Sequence, residues 1–487
     1  MVGKFLSVVV GMMALGVLAD NVWHTNARKS PEWFTKGVIC QIQPRAFTPE
    51  GTLKAAEAKL PYLKDSGFTI LYLVPVVKMD DDMNKEFWSP RQVKSGFNCP
   101  RNQYRMADYF HVDPEYGTDQ DLKDFVAAAH KLGMYVMFDL VYLHCGPTAP
   151  MLKEHPEFTY WNEDGTVKKG PWRFPKLNFD EPKLREYLIG NMRYLLTQYG
   201  CDGFRCDVGD QIPLDFWCDA RDMMDAVTAR HAAMICEGEN CPNQQKAFDA
   251  DYGWFPCEVF QKDGKRDARC IRRRWEKREG NHPYGARFMN HYDNHDIATD
   301  VRPRRENAFG HAAMDQVCVW LFTADGIPML FNGNEFAEAD EKHSMFGRTP
   351  LDWSALETDY GKYRHELVKK LSAIRQAHPA FTAASGRDAM VWLETSLPDD
   401  VTAFIRRGKG ETMFVVQNWA DKPLTVSVDF GRKAAVTESY VVTEEPDRSL
   451  RGTFAAEPLI SRDAEKTGAN EFKLGPYGFA VWEVKED

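Results

Sequence analysis

The sequence predicts an α/β protein: a (β/α)8 TIM barrel with an inserted subdomain after strand 3, followed by a C-terminal antiparallel β-sandwich domain. Three observations lead to this fold class. Apolar runs alternate with amphipathic helical patterns along most of the chain, which is typical of a parallel sheet. A long polar stretch interrupts this alternation once, and the final part of the chain contains only short strands. The 487 residues are enough for a large barrel and one further domain.

Eight apolar runs are predicted to form the parallel strands of the barrel, buried on both faces. These runs are 37–43, 69–76, 135–139, a run ending at Asp207, a run ending at Glu237, 247–252, 286–290 and 326–331. The predicted helices between and after them are 53–65, 119–132, 182–199, 214–231 and 363–378. In a barrel of this kind the C-terminal ends of all the strands meet at one rim.

The stretch between His144 and Pro182 is long for a loop that joins a strand to a helix, and it is rich in Pro, Gly, Trp and charged residues. We expect a small inserted subdomain at about 145–181, within a barrel that spans 31–384. Long loops on the active face are often functional. Short runs separated by turn residues then predict the β-sandwich over 385–487.

Residues 1–19 are predicted to be a signal peptide. Lys4 precedes an apolar stretch, and Val17 and Ala19 occupy the positions where small residues precede a cleavage site. The stretch is too short to span a membrane, and no later segment is long and apolar enough to do so. We therefore expect an exported protein, periplasmic or secreted, with no membrane span after processing.

The net charge and the cysteines argue against two kinds of site, one for nucleic acid and one for zinc. The formal net charge of −10 argues against nucleic acid as a partner. Eleven cysteines are an odd number, so at least one has no partner within the chain. Cys99 with Cys145, or Cys257 with Cys270, are candidate disulfides between which the sequence does not decide. No pair has C-x-x-C spacing, so a zinc site is not expected.

Carboxylates at the ends of predicted strands are the candidates for catalysis. Asp207 and Glu237 each end a strand, and Asp296 closes the segment Asn294-His-Asp. Because barrel enzymes build their sites at the C-terminal ends of strands, these side chains are expected to converge on one pocket. Such a set suits cleavage of a glycosidic bond, in which one carboxylate attacks and another protonates the leaving oxygen. Arg205 lies on the same strand face as Asp207.

Several segments, in the right order, resemble motifs of the α-amylase family of glycoside hydrolases, over about residues 38–484. Asp139–His144 is similar to the family's Asp-x-x-x-Asn-His, Gly203–Asp207 to Gly-Phe-Arg-x-Asp, and Asn294–Asp296 to Asn-His-Asp. Gly326–Glu335 resembles the strand-eight signature, and Tyr104–Thr118 resembles the loop before the third helix. The resemblance implies a retaining mechanism through a covalent glycosyl-enzyme.

The resemblance also implies a role for each matching residue. Asp207 would be the nucleophile, Glu237 the general acid and then the base, and Asp296 a carboxylate that binds sugar hydroxyls. The implied substrate-binding residues are Tyr104, Asp139, His144, Arg205 and His295. Among these, Tyr104 would stack beneath the ring, the two histidines would bind hydroxyls, and Asp139 would support the pocket. The charge of Arg205 is expected to hold Asp207 ionised and oriented.

The chain departs from the family's pattern in two places. Leu143 stands where the family has a calcium-binding Asn, and leucine offers no oxygen ligand, so no metal or cofactor is expected there. Asp210 and Gln211 replace the Lys-His pair that follows the nucleophile in starch-degrading members, which implies different contacts on the leaving-group side. In addition, Phe174–Asn178 resembles a segment of neopullulanases and cyclomaltodextrinases.

The expected function is that of an exported retaining hydrolase of α-linked glucose oligo- or polysaccharides, with a preference for short maltodextrins over granular starch. The same scaffold also supports a transglycosylase or a sugar-isomerising enzyme, because acceptor choice depends on the shape of the pocket. A non-catalytic glycan-binding barrel is the alternative from another class, and the presence of all three carboxylates weighs against it. Linkage preference and endo or exo action stay open.

Overall fold

The structure is a computed structural model that describes residues 25–240, 242–254, 259–260, 266–280, 282–383, 389–433 and 452–486. The predicted signal peptide lies outside these residues, and so does Cys257 with its candidate disulfide. Cys99 and Cys145, the other candidate pair, are free thiols. Within the described ranges, no helix has the length and apolar character needed to cross a membrane.

Eight parallel strands close into a barrel in their order along the chain, which confirms the predicted fold class. The strands are β1 (Ile39–Ile42), β2 (Ile70–Leu73), β3 (Tyr135–Leu140), β4 (Gly203–Cys206), β5 (Ala233–Cys236), β6 (Ala250–Trp254), β7 (Phe288–His291) and β8 (Ile327–Phe331). β1 pairs with both β2 and β8 and so closes the ring. Nearly all strand residues are buried, as expected for a sheet covered on both faces.

The helices lie around the barrel and in the loops at its rim. They are α1 (Glu32–Thr35), α2 (Pro44–Phe47), α3 (Leu53–Glu57), α4 (Leu60–Asp65), α5 (Pro90–Lys94), α6 (Asp119–Lys131), α7 (Met151–Glu154), α8 (Pro182–Tyr194), α9 (Leu214–Thr228), α10 (Asn243–Lys246), α11 (Arg269–Gly280), α12 (His295–Asp300), α13 (Arg305–Phe309), α14 (His311–Thr323) and α15 (Asp359–Ala377). The sequence predicts one helix over 53–65, but the structure has two, α3 and α4. Pro61 lies at the start of α4, where its missing N–H does not break an established helix.

The region between β3 and α8 is built mainly from turns and isolated β-bridges. Thr159 pairs with Leu177, Trp161 with Val167, and Lys169 with Pro175, so the chain doubles back on itself. The bridge between His144 and Lys176 ties this region to the end of β3. The predicted insertion therefore lies against the rim that carries the candidate site.

The C-terminal region forms one antiparallel sheet that folds over on itself. Its strands are β9 (Met390–Thr395), β10 (Val401–Gly408), β11 (Glu411–Asn418), β12 (Leu424–Lys433), β13 (Gly452–Phe454), β14 (Ile460–Lys466) and β15 (Glu471–Glu486). The first part of β15 pairs with β12 and the later part pairs with β11. This long strand joins what the sequence suggests are two separate layers of a sandwich.

Helix α14 connects the barrel to the C-terminal sheet and is not among the helices predicted from sequence. Its residues from Ala313 onward are buried, so it has no polar face that would produce an amphipathic pattern. The Gln316 side-chain amide donates to the carbonyl oxygens of Asn418 and Gly478, each at 2.8 Å. The helix is therefore enclosed by protein on all sides.

Candidate active site

The register of β3, β4 and β5 brings the candidate residues level at the barrel mouth. Asp139 pairs with Arg205, and Cys206 pairs with Cys236. Asp207 and Glu237, the next residues along, therefore leave adjacent strands side by side. Because side chains alternate along a strand, Arg205 and Asp207 share one face and the two cysteines share the other.

Arg205 contacts three carboxylates at the barrel mouth, those of Asp139, Asp207 and Glu237. Its Nη1 donates to Oδ1 and Oδ2 of Asp139 at 2.7 and 2.9 Å, and to Oδ1 of Asp207 at 2.8 Å. Its Nη2 lies 2.7 Å from Oε2 of Glu237. We call these four residues, Asp139, Arg205, Asp207 and Glu237, the floor of the site.

Burial dominates the electrostatics of the floor. It raises the pKa of Asp207 well above the ordinary value, and the neighbouring Glu237 and Asp139 add to this effect while Arg205 opposes it. Burial likewise raises the pKa of Asp139, again against Arg205. For Arg205 itself burial acts to lower the pKa, but the surrounding carboxylates outweigh it and raise the pKa.

One cation therefore faces three carboxylates in a buried place, which favours retention of a shared proton. Arg205 alone does not determine whether Asp207 is ionised, contrary to what the sequence suggests. The arginine favours the ionised form, but burial and two negative neighbours outweigh it.

Glu237 is held from a second direction by the backbone of Val208. The Val208 N–H donates to Oε2 of Glu237 at 2.7 Å. Val208 has a φ of 40°, which is uncommon for a β-branched residue. Such strain costs about 1–3 kcal/mol and persists where the surroundings require that conformation. Because Oε2 already has two donors, a proton on Glu237 must lie on Oε1.

Tyr104 and His295 form a flat surface beside the floor. Their ring centroids are 5.0 Å apart, with 15° between the planes. The Tyr104 hydroxyl donates to Oδ2 of Asp139 at 2.8 Å. The Gln41 amide donates to Nδ1 of His295 at 3.1 Å, so Nε2 carries the proton. Burial lowers the pKa of His295 to about 4, so the ring is neutral at pH 7.

His144 lies on the side of the pocket formed by the insertion. Its Nε2 donates to the carbonyl oxygen of Tyr104 at 2.8 Å, and burial lowers its pKa to about 4. In the part of the chain that the structure describes, Nδ1 of His144 has no hydrogen-bond partner. Nδ1 is thus a buried acceptor, suited to a sugar hydroxyl.

Asp296 lies in the first turn of α12, and Asn294 sets its position. The Asn294 side-chain oxygen caps this helix by accepting from the N–H groups of Asp296 and Ile297, at 3.0 and 2.8 Å. Oδ1 of Asp296 accepts from Nη1 of Arg91 at 2.7 Å. Burial opposes ionisation of Asp296, but His295, Arg91 and Arg205 together lower its pKa below the ordinary value.

These residues surround a cavity of about 110 Å³. Its lining comprises Ser89, Arg91, Asn102, Tyr104, His144, Trp172, Phe174, Asp207, Val208, Glu237, His295, Asp296, Met345 and Phe346. The structure thus brings six of the eight sequence-predicted site residues to one cavity: Tyr104, His144, Asp207, Glu237, His295 and Asp296. Arg205 and Asp139 lie directly behind them as their support. We call Arg91, Met345 and Phe346 the wall of the pocket.

Sequence reasoning missed the wall and, in the insertion, Trp172. Arg91 lies in the short helix α5, in a stretch of sequence without a recognisable motif, and Phe346 follows a strand by many residues. Trp172 offered a weak signal, as an aromatic residue in a long loop at the active face. It is 36% exposed, and its ring centroid lies 5.5 Å from that of His144.

Asp210 does not line the cavity, although its position after the nucleophile suggested contacts with the leaving group. Its Oδ2 accepts from the N–H of Glu239 at 2.7 Å, and its Oδ1 accepts from the Asn243 amide at 2.7 Å. A Cβ at Gly238 would lie 2.0 Å from the Asp210 carboxyl carbon. Asp210 therefore packs closely against the loop that follows Glu237 and holds it in place.

The family's usual calcium does not fit at Leu143. This side chain is fully buried in the apolar core, and its carbonyl oxygen accepts from the N–H of Leu177 at 3.0 Å. Calcium requires six or more oxygen ligands. Among the residues that the structure describes, no group of three or more His, Cys, Asp or Glu side chains is arranged to hold a metal ion.

The chain is similar in sequence to several known proteins. The model of the α-amylase catalytic domain matches residues 24–165. The α-amylase MalA of Haloarcula japonica is 27% identical over 424 residues, which are 82% of this chain and 58% of that protein. Neopullulanase 2 of Thermoactinomyces vulgaris is 27% identical over 478 residues, covering 87% of this chain and 76% of that one. The chain thus spans less than two thirds of the length of MalA.

The fold also matches a solved structure, the maltogenic α-amylase AmyB from Thermotoga neapolitana. The TM-score is 0.75 at 23% identity, and the alignment covers 92% of this chain and 99% of that one. In this chain the rim of the closed parallel barrel carries three carboxylates that one arginine joins, at the end where barrel enzymes place their active sites. The matched part of the catalytic-domain model and these relatives make the chain similar to α-amylases and neopullulanases, and the solved structure shows the same fold.

Proposed function

We propose that the chain is an exported, retaining hydrolase of α-linked glucose oligosaccharides that works through a covalent glycosyl-enzyme. The observation that carries the proposal is the contact of Asp207 and Glu237 with a single guanidinium, that of Arg205. This shared contact keeps the two carboxylates close together. Retaining glycosidases need such closeness, with about 5–5.5 Å between the two groups, because no water has to fit between nucleophile and sugar.

Each catalytic carboxylate has one oxygen held by the protein and one that is available for chemistry. Arg205 holds Oδ1 of Asp207, so Oδ2 would attack the anomeric carbon. Arg205 and Val208 hold Oε2 of Glu237, so Oε1 would protonate the leaving oxygen and later take a proton from water. Asp296 would accept hydrogen bonds from the hydroxyls of the ring.

The size and lining of the pocket support short maltodextrins as substrates. At about 30 Å³ per water molecule, a cavity of about 110 Å³ holds roughly four water molecules, so it has room for no more than one sugar ring. The stacked Tyr104 and His295 offer a flat apolar face for that ring. Two of the relatives are named as an α-amylase and a neopullulanase, which supports an α-glucan substrate here.

Transfer to a sugar acceptor is the second candidate function. Trp172 favours it, because this partly exposed ring lies beside His144 at the cavity and offers a stacking surface for an acceptor. Incubation with maltotriose at low conversion separates the two functions. Products shorter than the substrate indicate hydrolysis, and products longer than it indicate transfer.

The first prediction concerns the two catalytic carboxylates. We expect Asp207→Asn and Glu237→Gln each to reduce kcat on maltotriose by about a thousandfold or more, because each removes a principal catalytic group. Asp164→Asn is the matched control. This exposed carboxylate accepts from the N–H and the hydroxyl of Thr166 in the insertion, and its variant should keep wild-type activity.

Azide rescue of truncated variants separates the two roles. With α-glucosyl fluoride and azide, Asp207→Ala should give the β-glycosyl azide, since azide replaces the nucleophile in a single displacement. Glu237→Ala should give the α-glycosyl azide, since azide attacks the covalent intermediate from the opposite side. Wild-type turnover in either variant, or azides of the opposite configuration, would refute the assigned roles.

Export is part of the same proposal and rests on the sequence of residues 1–19. Intact-mass measurement of protein recovered from the periplasm or the medium should show a chain that begins at Asp20. A full-length chain beginning at Met1 and confined to the cytoplasm would contradict export without affecting the catalytic assignment.

A further inference from the structure

We propose that the wall closes the pocket on the side away from the leaving group, so that the enzyme removes single sugars from the non-reducing ends of chains. This inference rests on the proposed function and adds a mode of attack to it. Internal cleavage would require the glucan chain to continue past the bound sugar in both directions. On one side that chain would have to pass Arg91 and Phe346, which line the cavity.

The first step of the argument is which side of the pocket the wall occupies. The leaving oxygen must lie beside Glu237, which is held by Arg205 and Val208. Arg91 instead contacts Asp296, the carboxylate proposed to accept hydrogen bonds from the hydroxyls of the ring. With the leaving group placed at Glu237, the wall lies at Asp296, on the side that this proposal assigns to the next unit toward the non-reducing end.

The second step is the closeness of the wall to the bound sugar. Nε2 of His295 lies 3.2 Å from Oδ2 of Asp296, and Nη1 of Arg91 lies 2.7 Å from Oδ1 of the same carboxylate. The guanidinium carbon of Arg91 is 6.0 Å from the ring centroid of Phe346. These contacts place Asp296, Arg91 and Phe346 in one row along this side of the cavity, where a second ring would have to displace them.

The third step is that the wall is built into the fold. The Met345 N–H donates to Oγ1 of Thr299 at 3.0 Å, and Nη1 of Arg45 donates to the Met345 carbonyl oxygen at 3.0 Å. Arg91 is fixed from the other side, because its Nε lies 2.8 Å from Oδ2 of Asp300. The wall therefore exists before any substrate binds.

A second cleft lies directly behind the wall. Phe346 lines the catalytic cavity and also this cleft, which has a volume of about 610 Å³ and includes Phe97, Arg101 and Arg348. The ring of Phe346 is thus the partition between two spaces. Its removal would join them and create room for the sugars that the wild-type wall excludes.

The test compares two forms of maltoheptaose, one free and one blocked at the non-reducing end by a 4,6-O-ethylidene group. An enzyme that removes terminal units cannot place the blocked sugar in the pocket, whereas one that cuts internally can. We expect kcat/KM on the blocked form to be lower than on the free form by about a hundredfold or more. The first products from the free form should be glucose and maltohexaose.

Phe346→Ala should raise the ratio of blocked to free kcat/KM about tenfold or more, because it opens the pocket into the cleft. Arg91→Gly is a second opening variant and should shift the ratio in the same direction. Arg348→Ala is the matched control. Its side chain is 61% exposed, lines only the cleft, and should leave the ratio unchanged.

The outcomes separate this inference from the proposed function. Failure of the wild-type enzyme to cleave free maltoheptaose would refute the proposed function. Comparable rates on the free and the blocked substrate, or maltose and maltotriose as the first products, would overturn the closed pocket and leave the hydrolase assignment intact. An unchanged ratio in both opening variants would show that the wall does not set the mode of attack.

Discussion

The floor and the wall of the pocket each join an arginine to carboxylates, but they do so in different surroundings. Arg205 is 1% exposed and reaches three carboxylates from β4. Arg91 is 35% exposed and bridges Asp296 and Asp300 from a loop helix. Loss of one partner from a buried pair leaves an uncompensated charge and costs about 3–5 kcal/mol, whereas an exposed pair contributes about 0–1 kcal/mol.

This difference separates two tasks within one site. In the proposed mechanism the floor would couple catalysis to folding, because the guanidinium that contacts Asp207 and Glu237 also neutralises buried charge. The wall would shape the space around the sugar, and we expect it to contribute little to the stability of the protein. Specificity can therefore change at the wall without loss of the fold, while the floor tolerates little change.

The largest expected effect is a direct contrast between the two arginines. We expect Arg205→Met to lower the free energy of unfolding by about 3–5 kcal/mol and to reduce kcat by about a thousandfold or more. Arg91→Met should lower the free energy of unfolding by about 1 kcal/mol or less. Urea unfolding followed by circular dichroism at pH 7, together with kcat on maltotriose, checks both values.

The pH dependence of Arg205→Met sharpens the same contrast. Without the guanidinium, the floor carboxylates bind protons more readily in the folded protein, so the stability deficit of the variant should shrink as pH falls from 7 to 5. Equal losses of stability in the two arginine variants would remove the distinction between floor and wall.

Glu335 lies at the same rim as the floor, but its hydrogen-bond partners are neutral. It therefore shows what burial does to a carboxylate that, among the described residues, has no arginine beside it. It accepts from the N–H of Gly333 at 2.8 Å and from the Tyr62 hydroxyl at 3.2 Å, and burial raises its pKa from 4.5 to about 7. The folded state thus binds this proton more tightly than the unfolded state, and stability falls as pH rises from about 4.5 through 7. The shift corresponds to about 3 kcal/mol at 1.36 kcal/mol per pH unit.

Glu335→Gln should remove this dependence, because a glutamine can accept from Gly333 and donate to Tyr62. The variant should match the wild type near pH 5 and exceed it by up to about 3 kcal/mol at pH 8, measured by urea unfolding at each pH. A stability difference that stays constant across this range would show that Glu335 does not titrate there.

Asp210 tests whether the floor depends on the loop behind it. Asp210→Ala removes the acceptor for the Glu239 N–H and should reduce kcat by about 10- to 100-fold, because small displacements of a catalytic group are costly. KM should change less than kcat, and the limb of the pH–rate profile that reports the general acid should move. Asp210→Asn keeps one acceptor and should recover part of the activity. Loss confined to KM would instead indicate direct contact with substrate.

The sequence was sufficient for the barrel and for the floor because both depend on local patterns. Apolar runs mark the strands, and Asp139, Arg205, Asp207 and Glu237 lie on or directly after them. Strand register alone then places these four side chains together. The functional residues at strand ends could thus be located without knowledge of the loops.

The wall and the C-terminal sheet depend on tertiary structure that local patterns do not encode. Arg91 and Phe346 lie far apart in sequence and meet only because two long loops fold over the same rim. Strand β14 (Ile460–Lys466) was missed because its inward positions include Arg462 and Ala464 rather than large apolar residues. Helix α14 was missed because burial on all sides leaves no amphipathic period.

The smallest expected effect is that of a chelator on Tm. The loop that carries Arg91 is held to the insertion by hydrogen bonds of protein side chains. Arg105 is fully buried, and its guanidinium donates to the carbonyl oxygens of Asp80, Asp82, Phe87 and Pro100 at 2.9–3.1 Å. The carboxylate of Asp80 in turn accepts from the N–H and the hydroxyl of Thr148, in the insertion. Arg105 and Asp80 thus connect the loop that carries Arg91 to the insertion without a metal ion among these contacts.

We expect EDTA to leave Tm unchanged, since Leu143 offers no ligand at the family's usual position. A fall in Tm of several degrees with EDTA, reversed by added calcium, would contradict this prediction.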